Sequence, residues 1–236
     1  MRLDKWLANS GIGSRKEVKK LLKTGAVTVN GKMTKDAKVH ADPNADNVML
    51  FDEPVEYREF IYLMMNKPNG VISATEDKRD ETVIDLLDDA HKHFDPHPVG
   101  RLDKDTEGML LLTNDGHLSY QLLSPKHHVP KTYFARIHGQ VTEADIAAFK
   151  EGVTLDDGYK TKPGDLVILL SGDESEIELT ITEGKFHQVK RMFQAVGKEV
   201  VYLKRLSMGA LGLDEELELG EYRELTEEEL NLLKEN

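Results

Sequence analysis

The charges of this 236-residue chain are unevenly distributed along it. Residues 1–40 hold ten Lys or Arg against three acids, a balance of +7, while the remainder carries −19. The net total of −12 hides both figures. Such asymmetry argues for two modules, a small basic one suited to a polyanion and a larger acidic one. The contrast is sharpest at the C-terminal end, where residues 213–236 contain ten acids against Arg223 and Lys234. Composition narrows the classes further. Hydrophobic residues at 39% and charged residues at 31% describe an ordinary folded domain rather than a disordered chain. The absence of Cys excludes a disulfide scaffold, a zinc ribbon and a thiol nucleophile. No run approaches the roughly 20 apolar residues of a membrane-spanning helix. No signal-type apolar stretch follows Met1-Arg2-Leu3-Asp4-Lys5, so a cytoplasmic protein with no membrane partner is expected.

The basic module has a legible plan. Leu3, Trp6 and Leu7 recur at helical spacing, and Gly11 can close that helix. Ser14-Arg15-Lys16-Glu17 reads as a capping box that opens a second helix. Val18, Leu21 and Leu22 form its apolar stripe, Lys16, Lys19, Lys20 and Lys23 stay largely off it, and Gly25 ends it. Val27 and Val29 then alternate into Asn30-Gly31, a type I′ hairpin signal. The turn formers of residues 40–58 read as a linker around a short strand at Val48–Phe51.

Beyond the linker the chain is strand-rich. Strands are expected at Ile61–Met65, Gly108–Thr113, Thr132–His138, Leu166–Leu170, Glu176–Thr182 and Val200–Leu206. Helices are expected at Thr82–Leu87, Leu118–Leu123, Thr142–Phe149, His187–Val196 and Thr226–Lys234. The fold class is therefore α+β: a small N-terminal domain and linker over 1–58, then a domain over 59–236 with a mixed, mainly antiparallel sheet flanked by helices. The spacing of His91, His93 and His97 matches no zinc pattern, and no metal site is expected.

The densest polar run is Gly100-Arg101-Leu102-Asp103-Lys104-Asp105-Thr106-Glu107-Gly108, set directly before an apolar strand. On composition alone it reads equally well as a surface turn. The order of motifs says more. The N-terminal Arg-Leu-Asp-Lys-Trp-Leu, Ser-Arg-Lys-Glu-Val and Gly25–Lys32 stretches resemble the S4 RNA-binding domain. The run around Asp103, with Lys131-Thr132-Tyr133, Glu183–Phe193 and Leu203–Gly209 after it, resembles the RsuA-type pseudouridine synthases of ribosomal RNA.

The resemblance implies roles residue by residue. Arg2, Lys5, Arg15, Lys16 and Lys19 would bind structured RNA through its phosphates. Asp103 would be the essential carboxylate. Arg101 would fill the gap left when the uridine flips out of the stack, since its reacting atoms are inaccessible inside it. Tyr133 would stack on the flipped base; strand alternation puts Tyr133 and Phe134 on opposite faces, so one can be core while the other faces a site. Leu203 or Leu206 would wall the uracil, although each also reads as strand core. Lys190 would be the cationic partner of Asp103: Val189, Met192, Phe193 and Val196 make a buried stripe, Lys190 lies beside it, and Arg191 lies nearly opposite, toward solvent or phosphate. No cofactor is implied, because the isomerisation has no redox step. The expected substrate is uridine 516 of 16S ribosomal RNA, free or in an assembling small ribosomal subunit, met by a monomer. A large-subunit ribosomal RNA synthase is the alternative within the class, and a non-catalytic ribosomal RNA-binding assembly factor, which would not need Asp103, the alternative outside it.

Overall fold

The computed structural model describes residues 1–234. It divides into two compact units, residues 1–61 with 87–96, and residues 62–86 with 97 onward. In the first unit, α1 (Leu3–Asn9) and α2 (Arg15–Thr24) precede β1 (Val27–Val29), β2 (Lys32–Met33), β3 (Val48–Leu50) and β4 (Glu53–Pro54). The Ser14 hydroxyl accepts from Glu17 N–H while the Glu17 carboxylate accepts from Ser14 N–H, so both ends of the capping box close. Gly25 takes the left-handed cap, and Asn30 and Gly31 both have positive φ, the backbone a two-residue hairpin between β1 and β2 requires. Leu3, Trp6, Leu7, Val18, Leu22, Val27 and Val48 form the core. Residues 87–96 carry α3 (Asp89–Lys92), a single turn capped by Asp88. The helix expected over Thr82–Leu87 does not form. Thr82 and Asp85 do exchange cap-like hydrogen bonds, but Thr82 is held in a parallel bridge to Ile72, and the chain turns instead of propagating.

The second unit is built on β5 (Tyr62–Lys67), β6 (His97–Pro98), β7 (Glu107–Thr113), β8 (Lys131–His138), β9 (Asp165–Leu170), β10 (Glu174–Ile181), β11 (Glu199–Met208), β12 (Leu211–Gly212) and β13 (Tyr222–Glu224), with α4 (Gly116–Leu123), α5 (Glu143–Glu151), α6 (Gln188–Ala195) and α7 (Glu227–Lys234). The sheet order is β13-β5-β7-β11-β8-β10-β9, with β12 on β11 and β6 on β7. Among the strands of the described residues only β7 and β11 pair in parallel, so the fold is α+β with a mixed, mainly antiparallel sheet. That parallel contact demands Gly108: a Cβ there would lie 2.3 Å from the Arg205 carbonyl oxygen. Helix α6 lays Val189, Met192 and Phe193 into the core, where Phe193 meets Phe149 edge-on at 4.9 Å. Among the described residues no helix is long and apolar enough to cross a membrane.

Candidate active site

The polar loop before β7 is held from both sides. The Ser73 hydroxyl accepts from the Leu102 N–H (3.0 Å) and donates to the Leu102 carbonyl (3.1 Å). Gly70 N–H donates to the Lys104 carbonyl, and Thr106 N–H donates back to the Asp103 carbonyl. Lys67, fully buried at the end of β5, donates to the carbonyls of Pro68 (2.9 Å), Lys104 (3.3 Å) and Thr106 (2.9 Å). Burial pushes its ammonium down to about 8, although the charges of Asp105, Glu107 and Asp103 act in the opposite direction. At neutral pH it is a protonated clamp on the loop that carries Asp103. Lys67→Met would leave buried carbonyls without their donor, a cost of about 2 kcal/mol. It would also free the loop, and a displacement of about 1 Å can cost about 10²-fold in turnover. Urea midpoints and single-turnover rates measure the two effects. A destabilised variant with unchanged turnover would show that the clamp does not position Asp103.

Asp103 is partly exposed, with cationic or protonatable groups on both oxygens. Lys190 Nζ lies 3.3 Å from Oδ2 and His187 Nε2 lies 3.6 Å from Oδ1. Lys190 also pairs with Asp105 at 2.5 Å, so the ammonium is shared and its shorter contact is to the second carboxylate. Burial pushes the Asp105 carboxyl up, but the hydrogen bond and charge of Lys190 outweigh it and hold Asp105 below the usual carboxylate range. The turn that starts α6 fixes this end of the site. Lys185 N–H donates to Gln188 Oε1, Gln188 Nε2 donates to Glu183, and His187 takes a positive φ of 48°.

Asp103 opens into a small cavity of about 70 Å³ whose walls include Arg101, Tyr133, His187, Val189 and Leu203. Tyr133 on β8 is 8% exposed and faces this cavity, whereas Phe134, on the other face, packs edge-on against Tyr202 at 6.1 Å. A second concavity of about 250 Å³ shares Arg101, Tyr133, Gly184 and Lys185 with the first. A carboxylate set between a lysine and a histidine, beside an aromatic wall and an apolar one, suits a planar base attached to a sugar.

Known families match both parts of the chain. The RNA pseudouridylate synthase family matches residues 61–195, and the S4 domain matches residues 1–47. The chain belongs to the RNA pseudouridylate synthase family. It is 61% identical over its whole length to the "Uncharacterized RNA pseudouridine synthase YtzG" of Bacillus subtilis, covering 99% of that protein. It is 41% identical to the "Ribosomal small subunit pseudouridine synthase A" of Haemophilus influenzae, over 99% of both chains. A crystal structure of a pseudouridylate synthase superposes with a TM-score of 0.70, at 40% identity over 99% of both chains.

Of the residues singled out in the sequence of this synthase, the structure gathers Arg101, Asp103, Tyr133, Lys190 and Leu203 in one place. Two lie elsewhere. Leu206 lines neither concavity: three residues on from Leu203, it falls on the opposite face of β11, and its carbonyl accepts from Leu213 N–H. Arg191 does not face open solvent: its guanidinium is clasped by Asp156 (2.5 Å) and Asp157 (2.6 Å) and its side chain is 15% exposed. Helical geometry placed Arg191 away from the buried stripe, but the acidic turn that meets it comes from a distant segment. In the S4 unit Lys5, Arg15, Lys16 and Lys19 are exposed, while Arg2 is tied by two hydrogen bonds to the buried Asp4. Sequence reasoning passed over Lys67, Asp105 and His187. Lys67 lies just past the strand expected at Ile61–Met65, and the signal available was a lone charge at the end of an apolar run.

Proposed function

We propose that this synthase converts a specific uridine of small-subunit ribosomal RNA, expected to be uridine 516 of the 16S molecule, to pseudouridine. The observation that carries the mechanism is Asp103 in a cavity between Lys190 and Tyr133. The choice of substrate is supported by the 41% identity, over nearly the whole of both chains, to a synthase named for the small ribosomal subunit. The exposed lysines and arginine of the S4 unit hold the RNA through its backbone, and Arg101 occupies the gap left by the flipped nucleotide. The N1–C1′ bond breaks, the uracil turns over Tyr133, and a C5–C1′ bond forms. The C5 proton leaves and N1 ends protonated, so the product is an isomer of the substrate. Asp103 acts as a carboxylate in each available route, whether by attack at C1′, addition at C6 or removal of the C2′ proton. Lys190 lies against Asp103 as its cationic partner, and its second carboxylate, Asp105, holds the ammonium in place.

The test is pseudouridine mapping across ribosomal RNA from a strain lacking the gene, with purified protein supplied to 16S and 23S transcripts. Loss of one 16S pseudouridine and its restoration in vitro is expected. An unchanged 16S map with a missing 23S site would overturn the substrate assignment.

A further inference from the structure

We infer that the second concavity is a phosphate seat, holding a backbone phosphate directly next to the nucleotide placed over Asp103; this rests on the function proposed above. Its inner wall contains two buried cations. Arg205 is 2% exposed and Lys131 is 8% exposed, and both line the concavity. Arg205 Nε donates to the Met109 carbonyl at 2.7 Å, but its Nη2 is shielded from solvent and has no hydrogen-bond partner among the described residues. Lys131 Nζ donates to the Val129 carbonyl at 2.9 Å. A shielded guanidinium nitrogen with unspent donors is costly, and it persists in folded proteins chiefly where something else supplies the acceptor. The register of β8 and β11 creates the arrangement: Arg205 lies opposite Tyr133, and Lys131 lies two residues along the same strand face.

The electrostatics ask for an anion. Burial, and then the nearby charge of Arg205, push the Lys131 ammonium down to about 8. Arg101, Lys162 and Lys185 add cations to the lining. The one carboxylate there, Glu183, already accepts from Tyr159 Oη, Lys162 N–H and Gln188 Nε2. A phosphate brings charge and several acceptor oxygens at once, so it can take the remaining Lys131 donors, and Arg205 Nη2 when that side chain turns toward the concavity. Because Arg101 and Tyr133 belong to both concavities, the two adjoin, and a phosphate in the second would lie next to a base in the first.

The experiment uses the full-length protein and an RNA stem-loop around the target uridine, prepared as a set in which one phosphodiester at a time is a neutral methylphosphonate. Binding is read by fluorescence anisotropy, and turnover is recorded separately. Neutralising the phosphate immediately 5′ or 3′ of the target should weaken wild-type binding about five- to tenfold. Lys131→Gln should bind unmodified RNA more weakly by a similar factor and lose that sensitivity. A wild-type scan with no position-specific loss adjoining the target overturns the seat, and needs no folded variant. The same sensitivity in a folded Lys131→Gln protein also overturns it. Inorganic phosphate at constant ionic strength distinguishes a free anion: a Lys131-dependent rise in Tm with a featureless scan assigns the site to that anion and overturns the RNA seat. A position-specific loss in an RNA that is bound but never isomerised supports the seat and counts against the proposed function alone. A stem-loop that is not bound at all overturns both.

Discussion

Asp103→Asn is expected to lower pseudouridine formation by about 10³-fold or more while RNA affinity stays within about threefold of wild type. The side chain keeps its shape and loses only its charge, and each route from uridine to pseudouridine uses that charge. The surroundings make this substitution unusually clean. Lys190 retains its 2.5 Å contact with Asp105, so no cation is stranded in the site. The backbone of residues 102–106 remains held by Ser73, Gly70 and Lys67, none of which touches the Asp103 side chain. Asp105→Asn is the matched control: it removes the neighbouring carboxylate and should cost far less turnover, because Lys190 still has Asp103. Single-turnover tritium release from 5-tritiated uridine in RNA compares the two. Equal losses would place the chemistry on the pair, and retained turnover in Asp103→Asn would overturn the mechanism.

Replacing Lys5, Arg15, Lys16 and Lys19 together by Gln is expected to weaken RNA binding by about 10²- to 10³-fold near 0.1 M salt. The slope of log affinity against log salt should fall by about three, since each neutralised phosphate contributes about 0.7–0.9. These side chains are exposed and outside the core of Leu3, Trp6, Leu7, Val18 and Leu22, so the melting temperature should hold. Arg2 is left out of the set because Asp4 already engages it. Anisotropy titrations at several salt concentrations give both numbers. An unchanged slope would remove the S4 unit from the binding account.

Much of the fold was legible because its signals are local. The Ser14–Glu17 box, the Gly25 cap and the Asn30-Gly31 hairpin each involve residues within four positions of one another, and each forms as read. The stripe of Val189, Met192 and Phe193 correctly put Lys190 at the edge of the buried face, within reach of Asp103. The failures are of a different kind. Thr82 and Asp85 make the hydrogen bonds of a helix start, yet the bridge to Ile72 prevents a helix. Leu203 and Leu206 both read as a wall for the uracil, but alternation along β11 puts them on opposite faces, and only Leu203 lines the cavity.

The sequence by itself determined the division into a basic and an acidic module, most of the helices and strands, and the segments that supply the site. Charge content, capping and periodicity depend only on residue order over short spans. Tertiary structure alone decided which charges find partners. Arg191 meets Asp156 from 35 positions away, Lys67 reaches the carbonyl of Thr106 across 39, and Arg205 reaches Met109 across 96. Electrostatic and hydrogen-bond energies depend on separation in space and on burial, neither of which is written in residue order. For that reason one arginine expected to face RNA is neutralised by a turn, and another, buried in the sheet, is left with an unspent donor beside the site.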